Sequence, residues 1–84
     1  MIAADLAPIR LKRRQAEILW AAREYGVADQ RGVSTQSLML LRRLGLLHRE
    51  ANGTHTITPH GRAELALWAQ VHPRSMLVIG EYLR

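Results

Sequence analysis

Eighty-four residues, 9.5 kDa in mass, are expected to form one domain around a single core. Hydrophobic residues at 48% can supply that core, and the absence of cysteine excludes disulfides and thiolate metal sites. Twelve basic residues against seven acidic ones give a net charge of +5, which points to an anionic partner, nucleic acid being the commonest.

Eleven of the twelve basic residues are arginine, Lys12 being the lone lysine, and the sequence pI is about 11.1. Arginine suits bidentate contacts to phosphate and to guanine edges, although GC-rich coding also enriches it. The longest uninterrupted apolar runs, 18–22 and 65–69, are five residues long. No basic flank precedes an apolar block near Met1, so neither a membrane span nor a secretory signal is expected. The expected setting is the reducing cytoplasm.

Residues 1–10 read as an N-terminal arm, with Pro8 disfavouring helix at Ala7. From Leu11 to Tyr25 the apolar residues Leu11, Ile18, Leu19, Ala22 and Tyr25 recur at largely helical spacing, and Gly26 supplies a stop. Trp20 falls off that stripe; it either widens the buried face or, if exposed, meets a partner. A second helix is expected from Ser34 or Thr35 to Leu44, with Ser34 as N-cap, Leu38, Leu41 and Leu44 facing inward, and Gly45 just past the end. Two short strands, 46–50 and 54–58, flank Ala51-Asn52-Gly53, and Asn-Gly is a strong hairpin turn signal.

Thr58-Pro59 opens the next helix, threonine capping and proline occupying a position where no amide donor is needed. That helix is expected to run to about Val71 and to be apolar on two sides, one facing the core and the other the C-terminal segment or a second subunit. Residues 72–84 form a C-terminal extension, ambiguous between strand and helix and read as a short, dimer-forming helix. Gly45, Gly53 and Gly61 are assigned to a helix end, a turn and a close approach of the last helix to the sheet. Trp68 is assigned to the core.

The block 37–47, with Leu38, Leu41, Arg42, Arg43, Leu44, Gly45, Leu46 and Leu47 in order, is followed by Ile57-Thr58-Pro59-His60-Gly61-Arg62. Together these resemble the recognition helix, first wing strand and wing exit of winged helix-turn-helix domains of the MarR type. Leu11-Lys12-Arg13-Arg14-Gln15-Ala16-Glu17-Ile18-Leu19 is similar to the first helix of such domains, so the resemblance spans roughly residues 11–66. The implied fold is α+β, mainly α: a winged helix-turn-helix over 11–71 with one hairpin wing and a short or degenerate second helix. Only one helical turn fits between Val27 and Arg31.

The resemblance implies a transcriptional regulator that binds double-stranded DNA as a homodimer, with helix 34–44 in the major groove and hairpin 46–58 beside it. On that reading Thr35, Gln36, Met39 and Arg43 reach base edges or phosphates, Gln36 suiting adenine and Arg43 guanine. Arg49, Asn52 and Thr54 belong to the wing, and Arg13 and Arg14 contact phosphate. At least one of Met39 and Leu40 must project from the DNA-facing side, which also suits a protein-interaction module that keeps the fold without reading DNA. RNA binding lacks an aromatic stacking platform.

His48, His55, His60 and His72 raise a metal hypothesis, with His48 and His55 placed to face each other across the hairpin. Surface or capping roles are the preferred reading, and no metal or cofactor is expected. No Ser/His/Asp arrangement, glycine-rich phosphate loop or carboxylate pair can be read from the spacing, so no enzyme is expected.

Overall fold

The computed structural model of the protein describes residues 10–83, and most of the expected N-terminal arm lies outside them. The elements run α1 (Arg13–Tyr25), α2 (Thr35–Arg43), β1 (Leu47–Arg49), β2 (His55–Ile57), α3 (Pro59–Val71) and α4 (Pro73–Leu83). The fold is α+β and mainly α.

Helix α1 is the spine. It begins at Arg13 rather than Leu11, after Lys12, whose backbone N–H donates to Gln15 Oε1 at 2.9 Å. Its buried face is wider than the expected stripe, since Ala16 and every residue from Ile18 to Ala22 are buried. Trp20 is 3% exposed, with α4 packed beside it: a Cβ on Gly80 would stand in ordinary contact, 3.9 Å from Trp20 Cζ2. Tyr25, expected on the inward face, is instead 49% exposed at the end of the helix. Its ring meets Trp20 edge-on at 5.8 Å, and its hydroxyl donates to the Leu83 carbonyl.

The segment between α1 and α2 contains no helix, so the expected one-turn supporting helix is absent. The backbone instead runs beside β2, the Ala28 N–H donating to the His55 carbonyl at 2.8 Å, and then turns at Arg31 and Gly32. Gly32 takes a left-handed φ of 87°. The turn is closed by Val33 N–H to Gln30 O at 3.1 Å and tied to α1 by Arg14 Nη2 to Gly32 O at 3.2 Å. Helical geometry is replaced here by discrete tethers, with Ala28 fully buried as a plug.

Ser34 caps α2, its Oγ accepting from the Ser37 N–H at 3.1 Å. The helix ends in a Schellman motif, with Leu46 N–H to Leu41 O at 2.9 Å and Gly45 N–H to Arg42 O at 3.0 Å. Leu41 and Leu46 are both fully buried, supplying the hydrophobic contact that accompanies this ending.

The hairpin pairs Leu47 with Ile57, His48 with Thr56 and Arg49 with His55, antiparallel. Its strands are shorter than expected, although Glu50 N–H to Thr54 O at 2.7 Å and Thr58 N–H to Leu46 O at 3.1 Å continue the pairing at both ends. The turn is the three-residue form closed by a left-handed glycine, Gly53 at φ 91°.

Thr58 links three elements: it N-caps α3 by accepting from Gly61 N–H at 2.9 Å, and its hydroxyl donates to Gly45 O at 2.6 Å. Helix α3 buries Gly61, Glu64, Leu65 and Trp68, and α4 buries Ile79 against the same core. The C-terminal segment is therefore a helix. It leaves Leu67 and Val71 of α3 exposed.

Candidate nucleic-acid interface

The outward side of α2 follows from its inward one. Leu38 and Leu41 are buried, so Gln36, Met39, Leu40 and Arg43, spaced i, i+3, i+4 and i+7, share the opposite side. All four are exposed, Met39 at 38% and Leu40 at 45%. Thr35 and Arg42 flank this stripe and are exposed as well. Over seven residues the helix rises by roughly 10 Å, about the length of three base pairs.

Charge is segregated in the same region. Between Asp29 and Glu50 lie Arg31, Arg42, Arg43 and Arg49 and no carboxylate, and all four arginines are exposed. The two bordering acids are turned to internal use, Asp29 toward His55 and Glu50 accepting from Thr56 Oγ1 at 2.6 Å. Arg31 and Arg42 were absent from the sequence-based set of contact residues. The signal that finds them is this carboxylate-free window, which spacing alone does not display.

The hairpin residues are ordered for shape. Asn52 Oδ1 accepts from both the Thr54 N–H at 3.0 Å and the Thr54 hydroxyl at 2.7 Å, so the Asn52 amide donors are the groups left to face outward. Arg49 lies along the turn, its Nη2 within 3.7 Å of where a Cβ on Gly53 would stand.

Arg13 and Arg14 are engaged within α1. Both reach Glu17, Arg13 Nε at 3.4 Å from Oε2 and Arg14 Nη1 at 3.0 Å from Oε1, and Arg14 also holds the Gly32 carbonyl. Arg14 is thus a tether of the α1–α2 connection, its guanidinium engaged by both Glu17 and the Gly32 carbonyl.

Of the four histidines, His48, His60 and His72 are exposed, and His55 alone departs from the sequence reading. His55 is neither superficial nor capping: it is buried, its backbone N–H and its ring Nδ1 both directed at Asp29, the ring at 2.9 Å. Its Nε2 is buried with no hydrogen-bond partner. The register pairs His48 with Thr56 and His55 with Arg49, so the two histidines occupy opposite faces of the hairpin and cannot share a metal. Glu64 is buried, with His60 Nε2 at 3.4 Å. His72 stacks on Trp68 with centroids 4.5 Å apart. Among the described residues no group of three or more His, Cys, Asp or Glu side chains is placed to hold a metal ion, and no helix is long and apolar enough to cross a membrane.

No family model, curated protein or solved structure matches the chain.

Proposed function

We propose that the protein binds double-stranded DNA as a small transcriptional regulator of winged-helix character, with α2 in the major groove and the β1–β2 hairpin as its wing. The observation that carries this reading is the coincidence, on one exposed helix side, of Gln36 and Arg43 with a window holding four exposed arginines and no carboxylate. Gln36 and Arg43 match the two commonest bidentate base contacts, and Arg31, Arg42 and Arg49 are the phosphate ligands beside them. The order of helix, tethered connection, helix, hairpin and helix supports the same assignment, since it differs from the winged pattern only where a supporting helix is replaced by the Asp29–His55 and Arg14–Gly32 ties.

The protein acts as a homodimer in this proposal, through the apolar side chains that α3 and α4 leave uncovered. Val71 is 73% exposed, and Leu67 stands one turn before it. Together with Leu11 and Trp68 these line an apolar groove of about 510 Å³. The rival reading, a protein-interaction module, draws on the exposure of Met39 and Leu40.

Fluorescence anisotropy with fragments of the protein's own genome, across a salt series, tests the proposal. One site should be enriched, and three neutralised phosphates per protomer, at Arg31, Arg42 and Arg49, give a slope of log K against log salt of roughly −2.7 per protomer bound. Arg43→Ala should weaken that site about tenfold and relax base preference at one position, because a bidentate pair to guanine is lost. Absence of duplex binding at low salt would move the assignment to the interaction module.

A further inference from the structure

Met39 and Leu40 stand between Gln36 and Arg43 on the outward side of α2, and hydrogen bonding gives them no role. Each is only partly exposed, and each is bordered by polar or cationic neighbours: Thr35 and Gln36 before, Arg42 and Arg43 after. That makes an apolar island two side chains wide. A stable protein interface needs roughly 800 Å² per partner around buried anchors, which an island of this size inside a cationic field does not offer. A polyanion carrying small apolar targets fits both the charge and the scale.

We infer that Met39 and Leu40 recognise the C5-methyl groups of thymine in the DNA major groove, at one or two base pairs lying between those contacted by Gln36 and Arg43. The inference rests on the duplex-binding reading above and adds to it a chemical class of target. The stripe's length matches about three base-pair steps, so the two polar ends take the outer pairs and the apolar middle falls on the one or two pairs between them. In the major groove thymine alone among the four bases presents a methyl group, and apolar side chains are its natural complement. RNA is excluded as the target by the same argument, since it carries uracil and its major groove is too deep and narrow to admit a helix.

The test uses one atom group. A random duplex pool is selected on the full-length protein, and the enriched duplex is remade with deoxyuridine replacing thymidine one position at a time, which removes a methyl and keeps the hydrogen-bonding edge. Affinity should fall about fourfold at one or two adjacent positions, the equivalent of one buried methyl group, and stay unchanged elsewhere. The M39A/L40A double variant should bind the thymidine duplex more weakly and lose the distinction between thymine and uracil. Its helicity and melting should match those of the parent, because both side chains are on the surface and alanine favours helix. Indifference of the parent protein to every uracil replacement overturns the inference while leaving the duplex-binding reading intact, as does discrimination that survives in M39A/L40A. Failure to enrich any duplex overturns both, and capture of a protein through these two side chains would then assign the island to the interaction module.

Discussion

Asp29 and His55 form the most consequential residue pair outside α2. One carboxylate accepts from a backbone N–H and stands 2.9 Å from the ring Nδ1, so the proton on that nitrogen belongs to the bond, and Nε2 is left in the core without a partner. Removing the carboxylate would strand two donors at once. Asp29→Ala is therefore expected to destabilise the fold by about 2 kcal/mol, the partial exposure of Asp29 tempering the loss. Urea unfolding followed by circular dichroism checks this, and a change below half that size would show that water replaces the carboxylate. None of this pair was legible in the sequence. His55 alternates with threonines as a half-exposed strand residue should, and the carboxylate that holds it sits 26 positions away. Tyr25 illustrates the same limit, for a helical stripe says which side is apolar but not where a neighbouring element stops covering it.

Elements were read more faithfully, because their signals are local. Ser34, Gly45, Asn52-Gly53 and Thr58-Pro59 each punctuate the chain through bonds made within a few residues, and each stands where the sequence places it. Gly61 belongs with them. A Cβ there would collide with the Leu46 carbonyl and lie 2.8 Å from Ile57 Cγ1, so α3 seats on the hairpin through the absence of a side chain. The Leu46 carbonyl cannot withdraw, since it accepts from the Thr58 N–H. Gly61→Ala gains up to about 1 kcal/mol in helix propensity, yet overpacking costs more, and a net loss of about 2 kcal/mol is expected. That corresponds to a drop in Tm of roughly 10 °C for a domain of this size, readable by calorimetry. Helix α4 marks where local signals end: Met76, Leu77, Val78 and Ile79 suit strand or helix alike, and the packing of Ile79 beside α1 decides for helix.

For the whole molecule, polarity is distributed unevenly. The α2–hairpin region is cationic, whereas α3 and α4 expose Leu67, Val71, Leu77, Val78 and Tyr82, the last at 83%. A surface divided this way suits a dimer whose apolar contact leaves two basic faces free, the arrangement that two-fold operators require. Val71→Glu should then shift the protein from dimer to monomer in sedimentation equilibrium at micromolar concentration while leaving its far-ultraviolet spectrum unchanged. A parent protein that sediments as a monomer would remove the dimer from the proposal. The carboxylate-free window from Asp29 to Glu50 is legible in the sequence, but the exposure of its four arginines needed the fold.

The tie between Asp29 and β2 also bears on the order in which the molecule assembles. Its partners are 26 positions apart, and the loop between them encloses all of α2. Local steps, the helices and the Asn52-Gly53 hairpin, do not wait for it, because closing a longer loop carries a larger entropic cost. The tie is therefore expected on the late side of the folding barrier, and Asp29→Ala should hasten unfolding more than it slows folding in stopped-flow measurements. The lifetime of the folded state should then be most sensitive to the segment that leads into α2, the stretch that Asp29 holds to β2.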